Sequence, residues 1–434
     1  MSQSMWRLAA WRGRVIGLLA AGVWLAAIVG PAFAQAVKYD QFKRPAGFDV
    51  AKQAAVQSDL AAGNAPADKD LQDFFVAKFA DMTNPAKDKD IHKIRADIKK
   101  LLQTSGNAAS TAGHDKANAF LLKHLPRLII GAKPNLHLAV RYNLAMLLAD
   151  LDSVERKGQS SPPTPLPEAR AELLKLVGNT KAPDYIRLAA LNGTLRHAAL
   201  STDAAARAEI AKGVLAFLDE LDKAGDAARK QDVKNWLEVR AMETLGATET
   251  PTPDVVAALQ KRLSDANRPI WTRSAAALAL GKLKYDPGAQ FDTAGLLAGF
   301  KSLLETAVDQ GATRRELREV IYSIRRGMNG FDDEAANTLF KLMDAAQQSE
   351  STQMTNAMSK MAEVCESKDQ PTEARVAIAI KEVMKDWRDG KFSSTLDADA
   401  QKNLSEDQTS GEAGEDGGDD SGFDFNSLDP GTAE

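Results

Sequence analysis

The chain has 434 residues, 44% hydrophobic and 26% charged, with 55 basic against 59 acidic side chains and a formal net charge of −4. That balance excludes a protein held to a polyanion by bulk positive charge, and no nucleic-acid partner is expected. A single cysteine, Cys365, excludes an internal disulfide, and a chain this long buries an adequate core without one.

Taken in chain order, the first segment is an export signal in pattern. Arg7, Arg12 and Arg14 precede an apolar run from Val15 to Val29, followed by Gly30-Pro31-Ala32-Phe33-Ala34. A basic start, a short apolar stretch and a small-x-small site predict a signal peptide over residues 1–34, cleaved after Ala34. The run falls short of the roughly 20 residues of a spanning helix, so no stable membrane span is expected after cleavage. The mature protein is expected to be exported, periplasmic or secreted, from a bacterium. Residues 35–65 read as an extended N-terminal arm with a short helix near Asp49–Leu60.

From Pro66 the pattern is helical. Leu71, Phe74, Phe75, Phe79 and Met82 recur at helical spacing, as do Ile91, Ile94, Ile98, Leu101 and Leu102. The polar stretch Gln103–His114 reads as a loop, with helices expected at 115–130 and 136–150. Consecutive prolines in Ser160–Pro167 forbid a helix and predict an exposed loop, with Pro167 opening the next helix. Thr252-Pro253-Asp254 and Thr313-Arg314-Arg315-Glu316 are helix starts, the second matching a capping box. No segment alternates over a strand's length, so the fold class is all-α.

One phrase returns along this region, an Arg set among Ala and Leu. It occurs at Arg141, Arg187, Arg240, Arg273 and Arg318, in steps of 46, 53, 33 and 45 residues. A period near 40 residues with two helices per unit is the mark of an α-solenoid. The small residues Ala275, Ala276, Ala277, Ala279 and Gly281 allow close helix approach, and the repeated Arg is a candidate structural tie between units. These Val/Ile-Arg-x-x-Ala helices, with Leu245-Gly246 and Leu280-Gly281-Lys282-Leu283 near their ends, resemble HEAT and HEAT-like repeats over about Leu136 to Arg326. The resemblance implies a curved solenoid of helical hairpins, here spanning 66–391, with a concave face for partners. It carries over no catalytic residue.

Motifs for catalysis or cofactors are missing from the sequence. The five histidines form no HxxxH or HExxH pair, and there is no Cys-x-x-Cys-His, phosphate loop or nucleophile elbow. Met354, Met358, Met361 and Cys365 form one helical stripe. Such a stripe suits a buried face, and its soft sulfurs also make it a candidate Cu(I) site. The basic helix Thr313–Arg326 presents Arg314, Arg315, Arg318, Arg325 and Arg326 as a candidate partner surface for an acidic peptide, the chain's own tail included.

That tail, 392–434, is expected to be disordered and acidic. Asp397–Glu434 holds twelve acids against Lys402 alone, a composition that cannot bury enough apolar area to fold. Phe423 and Phe425 stand out within it as candidate partner-binding residues. The expected function is a non-enzymatic, cofactor-free protein-protein interaction scaffold whose partner is unidentified, with Trp236, Trp271, Tyr322 or Arg318 as anchors wherever they are exposed. For the tryptophans a core position is expected. The alternatives are an enzyme or metal- or chromophore-handling HEAT-like protein, or a structural envelope component.

Overall fold

The structure is a computed structural model that describes residues 38–158, 161–223, 230–331, 338–367 and 372–397. The chain divides into a unit of residues 1–41 and a unit of residues 42–434. In the first, residues 38–41 are described and have no regular structure. The segment read as a signal peptide lies outside the described residues, as does the tail beyond Asp397, including Phe423 and Phe425.

The second unit is helical. Its helices are α1 (Val50–Ala61), α2 (Asp68–Met82), α3 (Ile91–Gly106), α4 (Ala112–Ile130), α5 (Leu138–Ala149), α6 (Pro167–Gly178), α7 (Asp184–Leu200) and α8 (Ala204–Lys223). They continue as α9 (Gln231–Ala247), α10 (Pro253–Ser264), α11 (Ile270–Lys282), α12 (Thr293–Asp309), α13 (Arg314–Asn329), α14 (Leu339–Leu342), α15 (Ala345–Glu366) and α16 (Glu373–Arg388). No described helix is long and apolar enough to cross a membrane.

Local chemistry accounts for many of these boundaries. Asp49 caps α1 by accepting from the Lys52 amide, Thr252 caps α10 ahead of Pro253, and Thr313 with Glu316 closes a reciprocal capping box on α13. Pro167 opens α6, where its missing N–H costs nothing. α1 belongs to the helical body rather than to an arm, because Val56 and Leu60 are buried and the helix packs on α3. The polar 103–114 stretch is also more helical than its composition predicts. α3 runs on to Gly106 and α4 begins at Ala112, with Ser105 and His114 both buried.

Among the described residues the only strands form a small antiparallel ribbon, β1 (Asp152–Val154) with β2 (Thr164–Pro165). Strands this short leave no alternation to read. Side chains pin the ribbon instead. Asn118 Nδ2 donates to the Asp152 carbonyl at 2.7 Å, and Arg196 grips the Asp152 carboxylate with bonds of 2.8 and 2.7 Å. His114 Nε2 lies 3.1 Å from Glu155 Oε1.

From α5 onward the helices alternate between two rows. In the first, α5, α7, α9, α11 and α13 each pack on the next member, and in the second α6, α8, α10 and α12 do the same. Each second-row helix also packs on the first-row helix that follows it, α6 on α7 through α12 on α13. First-row helices are covered on several sides: α9 buries Leu237, Val239, Ala241, Met242 and Leu245, positions that run around its circumference. Glycine makes this closeness possible. A Cβ on Gly281 of α11 would overlap the Arg326 carbonyl of α13, and one on Gly246 of α9 would sit 2.9 Å from Ala279 Cα.

The recurring arginines all lie on first-row helices, in two environments. Arg187 and Arg273 are fully buried, and each Nε donates to a carbonyl ten residues earlier, Val177 O at 3.0 Å and Leu263 O at 2.7 Å. Those carbonyls end the preceding second-row helices, where a cation also meets the negative helix pole. Arg187 then reaches Glu220 on α8, and Arg273 reaches Thr306 and Ser302 on α12 at 2.9 and 3.0 Å. One side chain thereby ties three helices. Arg141 makes the same ten-residue bond, to the Gly131 carbonyl at 3.0 Å. Arg240 and Arg318 instead pair with surface carboxylates, Glu243 at 2.9 Å and Glu366 at 3.3 Å. Near the end of α8, Arg262 of α10 supplies the tie that Arg240 does not, donating to the Leu218 carbonyl at 3.3 Å.

Candidate interaction face

The first-row helices keep one stripe uncovered. On α9 it reads Val233, Trp236, Arg240 and Glu243, spaced three, four and three, while Asn235, Leu237, Glu238 and Val239 between them are buried. On α11 it reads Trp271, Leu278 and Lys282, interrupted by the buried small residues Ser274 and Ala275. Because α9 packs on α11, the two stripes adjoin.

Here the structure corrects the sequence expectation for the tryptophans. Trp236 is 45% exposed and Trp271 41%, and their rings stack on each other, centroids 5.2 Å apart and tilted by 46°. Helical periodicity could not reveal this, since each Trp sits beside apolar neighbours that do enter the core. A usable signal was position: Trp271 falls in the first turn of α11 and Trp236 in the second turn of α9, where a row of parallel helices brings both to one edge.

A polar notch adjoins this aromatic pair. Asn192 of α7 donates to the Tyr142 hydroxyl of α5 at 3.3 Å. Burial raises the Tyr142 pKa, and the Asn192 bond and the Arg95 and Arg240 guanidiniums offset part of that rise. Asn192 of α7 thus meets the hydroxyl directly, and Arg95 of α3 and Arg240 of α9 act on it through their charge. The Asn192 side-chain oxygen is buried there with no hydrogen-bond partner. Among the described residues neither Arg95 nor Arg141 has a carboxylate within ion-pair distance. Among the described residues Arg95 thus brings a positive charge with no carboxylate at ion-pair distance, next to exposed aromatic surface. Such a pairing recognises a segment that offers a large apolar side chain and a carboxylate.

The other candidate residues lie elsewhere. Met354, Met358, Met361 and Cys365 form a buried stripe of α15, and burial pushes the Cys365 thiol above its ordinary pKa. No group of three or more His, Cys, Asp or Glu among the described residues is placed to hold a metal ion. Of the α13 arginines, Arg314, Arg318 and Arg325 face α15, where they reach the Cys365 carbonyl, Glu366 and Ser359. Arg314 meets Glu373 at 3.1 Å, Arg315 meets Glu319 at 2.9 Å and Arg318 meets Glu366. Arg325 is buried and donates to Ser359, and Arg326 is buried against the Tyr322 and Phe331 rings.

Two charged networks were not legible in the sequence. Asp222 near the end of α8 receives Lys261 at 2.8 Å and Arg262 at 3.3 Å, with Arg268 at 3.5 Å. Burial would raise the Asp222 pKa, but these three cations outweigh it and hold it below the usual carboxylate value. Arg268 also binds Glu238, which is wholly buried. Around His114, burial opposes protonation, yet the Glu155 and Asp115 carboxylates win and raise its pKa. Each network joins residues 30 or more positions apart, and all of its members serve packing between elements.

Comparison with protein-family models, with curated proteins and with solved structures found no match to this chain.

Proposed function

We propose that this protein is an exported, non-enzymatic interaction scaffold, a HEAT-like α-solenoid that binds an extended segment of a partner protein along the uncovered stripe of its first row. The observation that carries the reading is the exposed Trp236–Trp271 stack beside Arg240. Aromatic and arginine side chains dominate binding energy at protein interfaces, and two large rings held in solvent by a rigid helix pair lose little entropy when covered. Alternate packing of the helices and the ten-residue arginine ties support the solenoid half of the proposal. Export rests on the basic, apolar and small-x-small pattern of residues 1–34. Mass spectrometry of the protein from its native host should find an N-terminus at Gln35.

The binding reading is tested by selecting random peptides displayed on phage against the immobilised protein. Selected peptides should combine an aromatic residue with an acid and should bind Trp236→Ala/Trp271→Ala at least about tenfold more weakly. Peptides that bind both proteins equally would overturn the assignment of this face.

A further inference from the structure

We propose that the chain carries its own ligand for this face: the segment Gly422–Asp429, near its C-terminus, lies on the Trp236–Trp271 stack with its acids toward Arg95 and Arg240, and an outside partner must displace it. This rests on the interaction face proposed above and names its resident.

Three observations point to this occupant. The first is charge. Asp397–Glu434 carries twelve acids and one base, whereas Arg95 and Arg240 act on the notch hydroxyl and Arg95 has no carboxylate at ion-pair distance among the described residues. The second is the kind and spacing of side chains. Phe423 and Phe425 stand two apart with Asp424 between them and Asp419, Asp420 and Asp429 on either side. In an extended backbone, residues two apart project to the same side, so both phenyl rings can meet the paired indoles while the flanking acids reach the guanidiniums. Aromatic pairs in offset or tilted contact gain about 0.5–1.5 kcal/mol beyond area burial.

The third is reach. The described chain ends at Asp397, tied to α15 where Asn356 donates to the Ser393 and Thr395 carbonyls at 3.1 and 2.8 Å and accepts from the Asp397 amide at 3.2 Å. From α15 to α9 is three helix spacings along the first row, about 30 Å at 8–10 Å each. The 25 residues between 398 and 423 extend to about 85 Å. A tethered ligand within reach acts at an effective concentration of about millimolar, so modest contacts suffice to fill the face.

The α13 surface is the rival seat for the same tail, and among the described residues it exposes no large hydrophobic side chain to receive the phenyl rings. Arg314, Arg315 and Arg318 each meet a carboxylate, and Arg325 and Arg326 are buried.

The test uses the full chain with a photoactivatable benzophenone side chain at position 427 in place of Ser427. Irradiation should give adducts within the same chain on residues 233–243 of α9 or 271–278 of α11. Yield should fall about tenfold in Trp236→Ala/Trp271→Ala. It should also fall in Arg95→Glu and at about 1 M salt, where charges are screened beyond about 3 Å. A displayed peptide selected on this face should compete the adduct away. Adducts confined to α13 or other elements, adducts formed only between chains, or no adduct would each overturn the proposal. Circular dichroism of the variants keeps a folding defect from passing as lost contact. Should selected peptides still depend on the tryptophans while position 427 crosslinks elsewhere, the resident is refuted and the face itself stands.

Discussion

The interior and the open edge of the first row are built from the same helices under opposite rules. Arg187 and Arg273 sit wholly out of water, yet each donates to a helix-end carbonyl and to a side chain of a third helix, with Arg187 Nη1 left without a partner among the described residues. Trp236 and Trp271, on helices of that same row, stand nearly half exposed. The interior buries charge and the edge exposes oil. Burial of charge costs stability unless every bond is met, so the arginines are there to hold helix ends in place. Exposed aromatic area costs solubility, and its use is in contact with another segment.

The strongest way to break that contrast is at Arg268. Arg268→Met leaves the wholly buried Glu238 carboxylate without its cation. We expect a loss of about 3–5 kcal/mol, read as a lower urea midpoint. A variant with unchanged stability would mean that the interior charges are incidental.

Next in size is the split among the recurring arginines. Arg187→Met and Arg273→Met each remove bonds from a charged donor to buried acceptors and should cost about 2–3 kcal/mol. Arg240→Ala and Arg318→Ala break exposed pairs and should cost less than about 1 kcal/mol. Equal effects on all four would erase the distinction between tie and surface.

The two buried histidines sharpen the comparison through pH. Burial, with Arg196 and Arg170 nearby, pushes the His197 pKa down to about 3. Its contribution to stability is therefore full above about pH 6.5, the unfolded value, and is lost as pH falls from there toward about 3. His114 runs the other way. Its folded pKa is raised, so its stabilisation is complete below about pH 6.5 and is lost as pH rises through the folded value. Unfolding free energy followed against pH should show His197→Gln flattening the acid limb and His114→Gln flattening the limb above pH 6.5.

The edge should show its effect in binding more than in stability. Trp236→Ala/Trp271→Ala should cost about 1–3 kcal/mol, from the lost ring contact and the covered half of each ring, while weakening peptide binding at least about tenfold. A large stability loss would place the tryptophans with the interior after all.

Legibility followed the same division. Helix starts at Thr252, Thr313 and Pro167 could be read directly, because a cap is chemistry between near neighbours. The close approach at Gly281 was readable as a run of small residues. The recurring Arg marked the first-row helices. Its task was not readable at each position, since Arg240 and Arg187 occur in like phrases and differ in what the preceding helix end presents. The Trp stack was misread as core for the same reason.

The amino-acid order by itself determined that the described body is helical, where many of its helices begin, and which of them come close, because those outcomes depend on period, capping and side-chain size within a few residues. Only the tertiary structure decided which arginine is buried as a tie, which carboxylate it meets and which tryptophan is left in solvent. Those depend on the lateral placement of helices dozens of positions apart, and a small rotation of one helix exchanges its covered stripe for its open one.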